Sequence, residues 1–248
     1  MVPQKWRKRL RSIMHEFNCP FCGHSANEMT MIGLDLPVLR EKQVIGAGRR
    51  PVGCSACGST DRERLIYAYL AHELKIFTGD RHFKILHFAP EKNLTRELLS
   101  ANFQDYVCGD LFTMGIESYP AHVRNMNVLD IPFDADHFDL VICNHVLEHV
   151  PADIDAMKEI RRVLKPGGQA ILQVPISKNS ASTAEDLSIT DPDERERLFG
   201  QSDHMRIYGQ DYTDRLVQSG FNVKRINISA RYKKYGLNKN EDLFINVK

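Results

Sequence analysis

Two pairs of cysteines, Cys19 with Cys22 and Cys54 with Cys57, each followed by a glycine, carry the sharpest chemical signal in this chain. A Cys-x-x-Cys turn presents two sulfurs from one side, and a distant second turn supplies the two others that a tetrahedral zinc shell needs. Gly23 and Gly58 stand where such a turn favours a residue without a Cβ. A shell of four thiolates is closed and hence structural, adding folding energy to a segment too small to bury a core of its own. Iron is the alternative metal, and spacing does not separate the two. Disulfides or idle thiols compete with either metal. A redox site needs only one such pair. Cys108 and Cys143 fall inside apolar runs and read as buried small hydrophobes.

The elements that must position this chemistry follow from periodicity. A knuckle, an irregular insertion and a second knuckle occupy 18 to about 60, and Arg62 to Phe77 has helical spacing of Leu65, Ile66, Tyr69, Leu70 and Leu74. Short apolar runs then predict strands at Lys84–Phe88, Asp105–Asp110, Asn127–Asp130, Phe138–Cys143 and Gln169–Val174. Helices are expected at Leu94–Ala101, Asp153–Leu164 and Asp211–Ser219, the second of them ended by Pro166-Gly167-Gly168. Asn222–Ser229 and Asp242–Val247 close the chain as two further strands. Strands joined by helices imply an α/β fold with a parallel sheet, whose ligands sit at the carboxyl ends of the strands. The expected organisation is an arm, zinc segment and bridging helix over 1–78, then a main domain over 79–248 with a polar, lid-like insertion at about 177–209.

Length and balance exclude several classes. The 248 residues, 42% hydrophobic and 26% charged, suit one large α/β domain with an appendage, and argue against wholesale disorder. A formal net charge of +1 exerts no global pull toward nucleic acid or anionic lipid. No apolar run approaches the roughly 20 residues of a membrane span, and no signal-peptide core follows the basic start. Reduced, metal-bound cysteines fit a cytoplasmic protein. Lys5, Arg7, Lys8, Arg9 and Arg11 around Trp6 read either as a solvated terminus or as a phosphate-binding arm.

Three ordered blocks carry a family resemblance: Asn127 to Phe133, Phe138 to Val150, and Glu159 to Gly168. With the strands around them they resemble the later motifs of class I S-adenosylmethionine-dependent methyltransferases, over about 84–176. The resemblance implies a Rossmann-like seven-stranded methyltransferase sheet with a small N-terminal four-cysteine zinc-binding segment. The first motif departs from the family pattern. His87 stands where an acid is expected, and Ala89, Glu91 and Asn93 stand where glycines are expected. A subset of zinc-knuckle methyltransferases resembling this chain has a similar His-Phe-Ala-Pro-Glu loop, in which Glu91 replaces the carboxylate that partners the cofactor's ammonium.

The resemblance assigns S-adenosylmethionine to His87, Phe88, Ala89, Glu91, Asp110, Leu111, Asp130, Ile131 and Asn144. Asp110, about twenty residues past the first loop, is the expected acceptor for the ribose hydroxyls; Asp130 and Ile131 would hold the adenine, and Asn144 and His145 would face the methionine moiety or the acceptor. Methyl transfer is an in-line displacement whose leaving group departs neutral, so the protein mainly aligns reactants and excludes water. Where the acceptor must lose a proton, His145 and His204 are the candidate bases, with His149 a weaker third because helical periodicity turns it from the cleft. The segment Asp203 to Gly209 gathers groups able to grip a polar acceptor.

The expected acceptor is a small molecule or saccharide methylated on oxygen. Two rival readings are an RNA methyltransferase that uses the zinc segment and basic arm, and a non-catalytic zinc-stapled module on a degenerate cofactor fold. Oligomeric state is left open.

Overall fold

The computed structural model describes residues 15–79, 82–112 and 119–248, so the basic arm lies outside the described residues. Seven strands form the central sheet: Lys84–Phe88 (β1), Asp105–Asp110 (β2), Val123–Asn125 (β3), Phe138–Asn144 (β4), Leu164–Gln173 (β5), Asn222–Ile226 (β6) and Leu243–Val247 (β7). Their spatial order is β3-β2-β1-β4-β5-β7-β6. The first five pair in parallel, and β7 runs antiparallel to both β5 and β6. This is the Rossmann-like seven-stranded sheet that the resemblance implies.

Near-continuous apolar strands are what a sheet covered on both faces requires. Ile85, Leu140 and Ile142 face one core cluster, whereas their neighbours Leu86, Val141 and Cys143 face the other. The first cluster is completed by Asp61–Ala68 (α1) and Lys92–Ser100 (α2). Asp153–Val163 (α3) and Tyr212–Gln218 (α5) complete the second, and Pro192–Phe199 (α4) lies in the stretch between β5 and α5. Cys108 and Cys143 are buried as expected.

Three elements differ from the sequence expectation. The third strand is Val123–Asn125, not Asn127–Asp130: the Asn127 side chain accepts from Leu129 N (3.0 Å) and Asp130 N donates to Asn127 O (3.1 Å), which curls that run into a turn. Helix α1 is only eight residues long and passes into a π-helical turn at Tyr69–Glu73, where Leu74 N reaches Tyr69 O (2.9 Å). Pro166-Gly167-Gly168 lies inside β5 as an irregularity between Leu164 and Gln169, with Gly167 at φ +79°, while α3 has already ended at Val163.

The cysteine-bearing segment is built into the main domain. Val44–Ile45 pairs antiparallel with Ile176–Ser177, just beyond β5. Residues 177–209 hold α4 and a second ribbon, Ala184–Glu185 with Arg206–Ile207. Arg64 of α1 is fully buried, and its guanidinium donates to the carbonyls of Val52, Ser59, Tyr235 and Gly236. Glu63 completes the capping box of α1 through Thr60 N (3.1 Å) and also accepts from Asn93 N (2.9 Å), tying α1 to the start of α2.

Glu241 lies at this seam, 4% exposed. Burial, then the charge of Asp61, raises its pKa from 4.5 to about 7 against the opposing pull of Arg50, Arg62 and Gln173. Because the folded state holds this proton more tightly, the stability contribution is full below pH 4.5 and is lost as pH rises through about 7. The full swing is about 3 kcal/mol. Glu241→Gln should therefore match the wild type near pH 4.5 and exceed it by roughly that amount at pH 8 in urea unfolding. Parallel stability curves for the two proteins across this range would show that Glu241 titrates normally.

Candidate functional site

The two knuckles superimpose in their local logic. Gly23 N and Gly58 N bond back to Cys19 O (2.9 Å) and Cys54 O (2.8 Å), and both glycines have φ +72°. Cys19 Sγ lies 3.6 Å from Cys57 Sγ, and Cys22 Sγ lies 3.7 Å from Cys54 Sγ. A tetrahedron with metal–sulfur bonds of about 2.3 Å has edges of roughly 3.8 Å, so the four sulfurs fit one ion and are too far apart for disulfides. Cys19, Cys22, Cys54 and Cys57 are all free thiols. Burial is the main cause that pushes Cys22 up to about 12, so holding all four as thiolates calls for a cation in their midst.

At the carboxyl tips of β1, β2 and β4 a cavity of about 520 Å³ opens, within the range of cofactor sites. Phe88, Ala89, Asp110, Leu111 and His145 line it, together with the Asn127–Leu129 turn. A second space of about 330 Å³ adjoins it through Ala89 and His145, and is lined also by Glu91, Asn144, Thr60 and Arg62. A larger space of about 680 Å³ shares Ala89 and Asp110 but opens over α2 and reaches fewer strand tips. The strand tips make the first two the better cofactor site.

Ala89 and His145, which follow β1 and β4, both have left-handed backbones, at φ +45° and +54°. Such residues cluster where a chain must turn sharply beside a ligand. Ala89 thus adopts at some steric cost a conformation that a glycine takes freely.

His87 is fully buried. Its Nε2 donates to Glu91 Oε2 (2.8 Å), and its Nδ1 lies 2.9 Å from the Tyr106 hydroxyl. Asn144 Nδ2 donates to the other Glu91 oxygen (3.0 Å). Burial raises the Glu91 pKa, but His87 and Asn144 outweigh it and hold the carboxyl below its ordinary value. His87 therefore orients Glu91 rather than meeting a ligand itself. Burial lifts Asp110 above its ordinary value, opposed by the Leu111 amide.

Asp130 and Ile131 do not join this lining. The turn at Asn127 carries the chain past the cavity, so Asp130 is exposed and Ile131 is 2% exposed in the core, its N–H donating to Glu159 (2.9 Å) and its carbonyl accepting from Arg162 (2.9 Å). Asn127, Val128 and Leu129 occupy the wall in their place. Sequence reasoning also missed Thr60, Arg62 and Tyr106. The capping signature Thr60-x-x-Glu63 was the available clue to the first two.

His145, His149 and His204 gather with Glu148 around a further space of about 280 Å³. Burial, then Arg62, lowers the pKa of His145 despite Glu148 Oε1 at 3.3 Å from its Nδ1. Burial lowers His204 likewise. Both imidazoles are neutral at pH 7, the form that accepts a proton. His149, placed by a 3-10 turn at Leu147–His149 rather than by a regular helix, faces the cavity instead of turning away from it.

A family profile described as a methyltransferase domain matches residues 65–172. An uncharacterised protein of Methanocaldococcus jannaschii is 32% identical over 124 residues, 48% of this chain and 52% of the relative. The 2-phytyl-1,4-naphtoquinone methyltransferase of Synechococcus elongatus is 29% identical over 116 residues, 47% of this chain and 42% of the relative. The chain thus spans about half the length or less of these relatives. A solved S-adenosylmethionine-dependent methyltransferase from Archaeoglobus fulgidus aligns over 75% of this chain and 94% of its own, with 13% identity and a TM-score of 0.47. No described helix is long and apolar enough to cross a membrane. The segment 65–172, which carries β1 to β4 and most of β5, is thus similar to the methyltransferase-domain family.

Proposed function

We propose that the chain is an S-adenosylmethionine-dependent methyltransferase acting on a small molecule, with a structural zinc ion held by Cys19, Cys22, Cys54 and Cys57. The observation that carries this reading is the cavity at the tips of β1, β2 and β4, with Asp110 on its wall and the oriented Glu91 beside it. The cofactor's sulfonium supplies the methyl group. Asp110, partly desolvated and acceptor-only, suits two ribose hydroxyls. Glu91, held ionised by His87 and Asn144, suits the α-ammonium, and Arg62 across the same space suits the α-carboxylate. The turn from Met126 to Leu129 offers apolar cover for the adenine.

The acceptor is placed beyond the sulfonium, beside His145, His149 and Met205. The name of the Synechococcus relative favours a small cyclic acceptor over a polymer. An oxygen nucleophile, on a small molecule or a saccharide, fits the neutral His145 imidazole, which can take its proton. Asp110→Ala is expected to weaken binding of the cofactor by about tenfold, roughly 1.4 kcal/mol for the lost charged hydrogen bonds, by isothermal titration. Unchanged affinity would remove Asp110 from the site, and a wild-type protein that binds neither S-adenosylmethionine nor S-adenosylhomocysteine would leave only the scaffold reading.

A further inference from the structure

Glu148 and His149 sit side by side on the short turn after β4, and His204 reaches them from beyond α4. One ligand atom from each lies within 4.8 Å of the others. Glu148 and His204 are buried, at 1% and 5% exposure. Three further observations point the same way. Glu148 Oε2 is buried with no hydrogen-bond partner, a costly state for a carboxylate oxygen unless a cation completes it. His149 Nδ1 lies 3.1 Å from the Asp203 carboxylate, and His204 Nδ1 lies 3.2 Å from Phe199 O. Each acceptor fixes the proton on Nδ1 and leaves Nε2 with a free lone pair, the orientation that metal-binding histidines are given by their outer partners. The last is charge: the Glu148 and Asp203 carboxylates together match a dication.

We propose that Glu148, His149 and His204 form a second metal site, distinct from the four cysteines, for a divalent transition ion. Two imidazoles and one carboxylate are a set used for catalytic zinc and for non-haem iron, with coordination positions left open. The mount is rigid. Arg206 bonds the carbonyls of Leu147, Val150 and Pro151, and Met205 N bonds Glu148 O (3.0 Å), so the two ligand-bearing stretches are held as one piece. His149 and Asp203 also line the 520 Å³ cavity, so the open positions border the space assigned to the acceptor. There the ion would bind and acidify an acceptor hydroxyl, a role that rests on the methyl-transfer reading, whereas the site itself does not.

Cobalt(II) tests the site in the intact protein with the four-cysteine shell already filled. The wild type should take up one further equivalent, with ligand-field bands and no thiolate-to-cobalt charge transfer. Glu148→Gln and His149→Ala should each weaken that uptake at least tenfold while the fold, followed by circular dichroism, is retained, and Asp203→Asn should weaken it by about tenfold through its hold on His149. No second equivalent, a second equivalent with thiolate bands, or undiminished uptake by Glu148→Gln in its folded form would each overturn the proposal. A protein that binds S-adenosylmethionine but no second cobalt loses this site alone; one that binds the cobalt but no cofactor loses the methyltransferase reading and keeps the site.

Discussion

Cys54→Ser is expected to lower zinc content by one equivalent and to reduce the melting temperature by roughly 10 °C or more. Structural zinc contributes about 10–16 kcal/mol in small isolated modules, and even a loss of about 4 kcal/mol moves the melting point of a chain this long by about that much. Serine keeps the shape of the site but replaces a thiolate by a hydroxyl that does not ionise near neutral pH, so the shell loses one of its four charges. The effect reaches beyond the knuckles. Cys54 lies between Val52, whose carbonyl accepts from Arg64, and Ser59, whose carbonyl does the same. Once the second knuckle loosens, the buried guanidinium loses its acceptors, and the capping pair of Thr60 and Glu63 loses its footing. Metal analysis and calorimetry on the same sample check this together. A variant with full zinc occupancy and an unchanged melt would mean that the four sulfurs do not share one ion.

Arg206→Ala should be the most damaging change at the other wall, costing about 3–5 kcal/mol. The Arg206 side chain is fully buried and satisfies three carbonyls on the turn that carries Glu148 and His149, with Glu185 as its counter-charge (2.9 Å). Glu185 also pairs with Arg215, which pairs in turn with Asp153 at the first residue of α3, where the Tyr208 hydroxyl donates as well (2.8 Å). Deletion of the guanidinium takes its donors from the Val150 and Pro151 carbonyls, and leaves Leu147 O to Tyr208 and Val150 N and Glu185 to Arg215 alone. Arg206→Lys should recover less than half of the loss, since one ammonium does not reproduce the planar fork. Denaturant unfolding measures both. A cost under 1 kcal/mol for the alanine variant would show that the turn holds itself.

The sheet was legible because its physics is local. Runs such as Lys84–Phe88 and Phe138–Cys143 are apolar on both faces, and only a covered parallel strand needs that. The four cysteines were equally plain, since each Cys-x-x-Cys turn brings its own two sulfurs together. The failures have one cause each. Asn127 starts a turn that its own side chain stabilises, so the third strand ends at Asn125, before that turn, and Asp130 misses the cavity. Helical periodicity turns His149 away from the cleft, but the chain runs there in a 3-10 turn, which aims the ring differently. The grouping of Glu148 and His149 with His204 was hidden for another reason: it depends on the fully buried Arg206, whose partners lie far from it in the chain, and no local pattern encodes such a contact.

The pairing of Val44–Ile45 with Ile176–Ser177, together with His145 packed against Gly46, fixes the cysteine-bearing segment to the sheet as a side panel on a bench. The strand tips that suit a nucleoside lie on the bench, whereas residues 46 to 62 and 200 to 205 make up much of the opposing face. On the proposed methyl-transfer reading, substitutions on the exposed rim of the panel, away from its cysteines, would reshape the acceptor wall and leave the apolar interior of the sheet untouched.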